Sequence, residues 1–218
     1  MNHLIAPSVL SADFGNLEHD IRMLNESAAD WIHVDVMDGV FVPNISFGFP
    51  VMKVLQKHST KPLDVHLMIV EPDRYIKRFA EYGSYMLTVH YEACTHLHRT
   101  IHEIKAHGMK AGVSLNPHTS VNLIEGILPD LDMVLLMSVN PGFAAQHFIP
   151  STLKKIHDLK QIILRNKLNV LIQVDGGITV DNAPELLKKG ADVLVAGHTV
   201  FASENPKNTI TLLKTITM

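Results

Sequence analysis

The chain of 218 residues holds a single cysteine, Cys94, which excludes an intrachain disulfide and a cysteine-built zinc cage. That scarcity fits a reducing compartment. Basic excess is missing as well: a formal net charge of -3 offers no cationic stripe for a nucleic-acid backbone, and there is no acidic tail. No apolar run reaches membrane-spanning length without a charge or a turn residue, and MNHLIAPSVL has no basic segment ahead of a long apolar stretch. Linkers and low-complexity tracts are also missing. These absences leave a cytoplasmic globular body, expected as one domain over residues 1–218, with 46% hydrophobic residues for its core.

What is present is an alternation. Short β-branched or apolar runs precede longer segments of helical period: LIAPSVLS before DFGNLEHDIRMLNES, WIHVDVMDG before FPVMKVLQKH, PLDVHLMI before PDRYIKRFAEYG. The pattern continues through YMLTVHYE, KAGVSLN, MVLLMSVN, NVLIQVDGG and DVLVAG, and a shorter helix is expected at VNLIEGIL. About eight strand–helix units result, the count of a (β/α)8 TIM barrel. An open doubly wound sheet is the alternative, because strand count alone does not prove closure. Gly83, Gly108 and Gly190 fall where helices should stop in left-handed caps.

In such a barrel the chemistry sits at the C-terminal ends of the strands and in the loops after them. In WIHVDVMDG the two-residue period puts His33, Asp35 and Met37 on one face and Val34 and Val36 on the other. His66, with Asp64 and Met68 on its face, ends the third strand, and Asp175 ends the seventh. Two imidazoles and two carboxylates then converge on one rim, the makings of a metal or acid–base site. The chain also has 14 histidines, among them His98, His102 and His107 in THLHRTIHEIKAHG. His98 and His102 are one helical turn apart, as a metal clip requires. With no third ligand evident beside them, a solvated helix face is the expectation, and Cys94 is expected to be inert.

Five segments, APSVLSADF, HVDVMDGVFVPN, DVHLM, LMSVNPGF and VDGG, resemble in order the signature segments of the ribulose-phosphate 3-epimerases. The resemblance implies a TIM barrel of the ribulose-phosphate binding type that interconverts D-ribulose 5-phosphate and D-xylulose 5-phosphate in the pentose phosphate pathway. It implies one divalent metal ion held by His33, Asp35, His66 and Asp175, with Asp35 and Asp175 as the acid–base pair. It further implies that Ser8 and His66 contact substrate and that Met37, Met68 and Met137 line the site. The ligand set suits zinc, ferrous iron, manganese or cobalt. Two carboxylates on well-separated strands meet the need of an epimerase to take a proton from one face of a carbon and return one to the other.

The phosphate is expected at DGGI and AGHTVF, where Gly176, Gly177 and Gly197 leave backbone N–H groups open to an anion. Here the chain departs from its relatives. PGFAAQ stands where the family usually has PGFGGQ, so Gly142 and Phe143 are followed by Ala144 and Ala145, and a positive φ there would be strained. His198 stands where the family usually has Ser, and His147 follows the alanine run in the loop expected to act as a lid. The competing readings are an epimerase of another keto-sugar phosphate, such as D-allulose 6-phosphate, and a non-catalytic sugar-phosphate binding barrel. The expected partner is a small phosphorylated keto-sugar, with no nucleic acid, no membrane and a possible homo-oligomer.

Overall fold

The structure, a computed structural model, describes residues 3–217. Eight parallel strands run along the chain: β1 (Leu4–Ala6), β2 (Ile32–Met37), β3 (Leu63–Met68), β4 (Ser84–His90), β5 (Lys110–Leu115), β6 (Met133–Met137), β7 (Leu171–Asp175) and β8 (Val193–Val195). They form one sheet in the order β1-β8-β7-β6-β5-β4-β3-β2. The circuit closes between β1 and β2 through a parallel bridge of Ser8 to His33, where the His33 N–H donates to the Pro7 carbonyl at 3.0 Å. The architecture is therefore the (β/α)8 barrel, and the open sheet is set aside.

Around the strands lie α1 (Leu17–Asn25), α2 (Phe49–His58), α3 (Ile76–Glu81), α4 (Leu97–Ala106), α5 (Thr152–Arg165), α6 (Ala183–Lys189), α7 (His198–Phe201) and α8 (Pro206–Lys214). Each long helix buries one stripe: Leu17, Ile21 and Leu24 on α1, and Ile156, Leu159 and Ile163 on α5. Both stripes belong to the main core, together with Val34, Val36, Val65 and Leu67, which face outward from β2 and β3; α5 packs on β6 and β7. Gly190 stops α6 at φ 113°, a backbone angle that a Cβ would strain.

Between β5 and β6 the expected short helix is instead a 3₁₀ segment, Val121–Asp130. It still buries Val121, Ile124 and Leu128. Gly126 weakens an α-helix there, and Pro129 lacks the N–H that would continue one, so the tighter winding wins.

Candidate active site

Strand register assembles the site. The β2–β3 pairing sets His33 beside Asp64 and Asp35 beside His66, and the β6–β7 pairing sets Met137 beside Asp175. The alternation that turns Val34 and Val36 outward turns these side chains into the barrel. One ligand atom from each of His33, Asp35, His66 and Asp175 lies within 4.8 Å of the others. His33, Asp35 and His66 are buried, whereas Asp175 is half-buried at the rim.

Each imidazole has one nitrogen engaged from behind. His33 Nδ1 lies 2.7 Å from Asp64 Oδ2, which also accepts from Gln173 Nε2 at 2.5 Å across the barrel. His33 Nε2 is left facing Asp35 Oδ1 at 3.2 Å. His66 Nε2 lies 2.9 Å from His90 Nε2, so one of the two must carry the proton and the other must not. His90 Nδ1 faces Glu92 Oε2 at 3.2 Å, and Glu92 already accepts from the Asn116 N–H and the Thr119 hydroxyl. With His90 Nδ1–H donating to that carboxylate, His90 Nε2 is an acceptor and His66 Nε2–H donates to it. The lone pair of His66 Nδ1 is then turned toward Asp35 Oδ1, 3.0 Å away. Ser8 Oγ donates to the other Asp35 oxygen, Oδ2, at 2.5 Å.

The electrostatics follow this wiring. Burial works to raise the Asp35 carboxyl, but the charge and hydrogen bond of His33 outweigh it and hold Asp35 far below the usual carboxylate range. Burial works to lower His33, yet Asp35 and Asp64 pull it well above the ordinary imidazole value. Burial lowers His66, and pushes His90 down to about 4 against the pull of Glu92. Asp175 shifts upward, first because it is desolvated and then because the Asp35 carboxylate faces it. Two carboxylates and two free imidazole nitrogens meeting in a buried site call for positive charge, and these are the donors of a borderline divalent cation. A cation in that position would replace the proton on His33 and relieve the repulsion between Asp35 and Asp175. The residues present therefore fit a divalent metal ion.

Above the four residues opens a cavity of about 350 Å³, within the range of small-molecule sites. Ser8, Asp35, Met37, Met68, Met137 and Asp175 line its inner part, and the three methionines are 1–4% exposed. Gly176, Gly177, Gly197 and His198 line one side, and Gly142, Phe143, Ala144, Ala145 and His147 line the loop side. His66, expected to contact substrate as well as metal, is fully buried and forms no part of the cavity wall. Gly177 has to be glycine, because a Cβ there would stand 2.7 Å from the Phe148 backbone nitrogen at φ +64°. The strain expected in the alanine run falls on Ala145, at φ 58°. Gln146 holds that loop by donating to the Asn140 and Phe143 carbonyls at 2.7 and 2.9 Å.

Sequence reasoning did not pick out His90, Glu92, Gln173 or Asn182, whose Nδ2 fixes the Gly177 carbonyl at 2.8 Å. His90 could have been found, since it ends β4 as Asp175 ends β7 and His66 nearly ends β3. Away from the barrel mouth one expectation is corrected. His98 and His102 do have a carboxylate beside them: Asp130, remote in sequence, completes a three-residue group with ligand atoms within 4.8 Å. Cys94 is half-buried, and burial pushes its thiol up to about 12, which matches the inert role expected of it.

Comparison with known proteins agrees with this geometry. The family model described as the ribulose-phosphate 3 epimerase family matches residues 4–201. A ribulose-phosphate 3-epimerase of Bacillus subtilis is 51% identical over 211 residues, covering 96% of this chain and 97% of the relative. One from Synechocystis is 48% identical, covering 94% of this chain and 90% of the relative. Among solved structures, the tryptophan synthase A-subunit of Pyrococcus furiosus superposes with a TM-score of 0.73 at 17% identity, covering 99% of this chain and 98% of that one, a likeness of fold alone. Five signature segments, the barrel and the full-length matches agree: the chain belongs to the ribulose-phosphate 3-epimerase family.

Proposed function

We propose that this chain is a metal-dependent epimerase that interconverts D-ribulose 5-phosphate and D-xylulose 5-phosphate by proton transfer at C3. The observation that carries the reading is the pair Asp35 and Asp175, brought from β2 and β7 to one cavity floor with two imidazoles beside them. A divalent cation held by His33, Asp35, His66 and Asp175 would supply a Lewis acid for the negative charge that grows on the substrate oxygens. The donor set suits zinc, ferrous iron, manganese or cobalt.

The rest of the work belongs to the protein. Asp35 Oδ1 is turned to both imidazoles, so Oδ2, held by the Ser8 hydroxyl, is the oxygen that exchanges a proton with C3. Asp175 serves the opposite face of the substrate carbon, and the two carboxyls exchange roles when the reaction runs backward. Met37, Met68 and Met137 wall the planar enediolate with apolar, adaptable surface and keep water from it. The phosphate rests against Gly177, Gly197 and His198, whose backbone can approach an anion closely. The loop over residues 140–148 closes above the substrate. The lone half-buried cysteine supports a cytoplasmic home.

The test is incubation with D-ribulose 5-phosphate in deuterium oxide. D-Xylulose 5-phosphate carrying deuterium at C3 is expected. Tight binding of the sugar phosphate with neither exchange nor product would overturn the reading in favour of a binding barrel.

A further inference from the structure

The geometry points to a second divalent-metal site on the outer face of α4, formed by His98, His102 and Asp130 and separate from the barrel mouth. α4 buries Thr100, Ile101 and Ile104, which turns His98 and His102, one turn apart, together toward solvent. Their Nε2 atoms face each other at 3.1 Å, with ring centroids 4.3 Å apart. Asp130, the last residue of the 3₁₀ segment, brings Oδ2 to 3.9 Å from His98 Nε2 and Oδ1 to 4.0 Å from His102 Nε2.

These separations are close to those a metal needs. Ligands about 2.0–2.1 Å from a tetrahedral ion stand roughly 3.3 Å from each other. The two nitrogens already meet that spacing, and with one ligand atom from each residue within 4.8 Å of the others, a single Asp130 oxygen reaches it by swinging inward about 0.6–1.5 Å. It can do so because the Asp130 side chain is 38% exposed, and the imidazoles, 72% and 54% exposed, leave an open approach. Without a cation the facing nitrogens share one proton between two lone pairs, whereas an ion accepts both lone pairs. Two imidazoles and one carboxylate, with positions left for water, select zinc, nickel, copper or cobalt over calcium and magnesium. Such an ion would tie α4 to the segment that leads into β6, and by binding only the folded chain it would raise stability by mass action.

The proposal does not depend on the reaction assigned to the barrel mouth, because its readout is bound metal. Zinc-loaded protein is titrated with further zinc, and total bound zinc is compared with that of the variant His98→Gln/His102→Gln. Wild-type protein should bind one equivalent more than this variant, whatever the barrel mouth holds. Asp130→Asn should weaken the additional equivalent by at least the ~10-fold that loss of a supporting group costs. His96→Gln, a neighbouring exposed histidine, should retain it. Equal zinc content in wild type and the double variant, full affinity in Asp130→Asn, or loss of the equivalent in His96→Gln would each overturn the site.

Discussion

At the barrel mouth, the nitrogen of each imidazole that faces away from the cluster is held: His33 Nδ1 by Asp64, and His66 Nε2 by His90 and through it by Glu92. On α4, His98 and His102 face each other and Asp130, and among the described residues neither has another side-chain partner. The ligand types are nearly the same in the two places. What differs is that the buried cluster has its tautomers and ring angles fixed before anything binds, while the exposed one must settle its own. A buried, wired cluster suits chemistry that needs atoms held to fractions of an ångström, and an open one suits reversible capture.

The largest effect should come from breaking the wired cluster itself. Asp35→Asn or Asp175→Asn should cut turnover by at least the ~100-fold typical of losing a positioned acid or base, while His98→Gln/His102→Gln should leave it unchanged. Steady-state kinetics at confirmed metal occupancy checks both halves. Near-native turnover in either aspartate variant would remove the distinction.

A subtler change sharpens the comparison from behind the buried cluster. Glu92 is held down to about 2 because bonds from His90, Thr119 and the Asn116 N–H outweigh the upward push of its burial. Glu92→Gln removes the charge that fixes the proton on His90 Nδ1, so the lone pair of His66 Nδ1 is no longer assured. Barrel-mouth metal affinity, read by competition with a chelator, should fall ~10–100-fold. Turnover at saturating metal should change far less. An unchanged affinity would mean that Glu92 only holds its loop.

How much of this was legible in the sequence follows from the range of each interaction. The strand–helix alternation, the helix stops and the gathering of His33, Asp35, His66 and Asp175 at one rim could be read because period and strand-end position are local properties. The wiring could not. Gln173 reaches Asp64 across 109 positions, and Asp130 reaches His102 only because the 3₁₀ segment and α4 pack side by side. The 3₁₀ winding itself was hidden because Val121, Ile124 and Leu128 fit a helical period as well.

Next in size is the effect at the phosphate side, where an exposed histidine replaces a supported cluster. His198→Ser should raise KM for the sugar phosphate about 2–10-fold, the worth of one ordinary hydrogen bond, with kcat nearly intact. An unchanged KM would return His198 to solvent.

The smallest effect is on stability in metal-free protein. Asp175 is raised in the folded state by desolvation and by Asp35, so its contribution is present below the unfolded carboxylate value and is lost as pH rises through the folded one. Asp175→Asn should therefore gain on wild type in Tm as the pH is raised from about 4 to neutrality, with each 1 kcal/mol worth about 2–4 °C. A constant difference in Tm across that range would show that Asp175 is not raised.

The central claim, proton transfer by two opposed carboxyls, is tested most directly by where deuterium goes at early times. With D-ribulose 5-phosphate in deuterium oxide under initial-rate conditions, product should carry one solvent deuterium at C3 while the remaining substrate carries none. Product that retains the original C3 hydrogen would contradict the account.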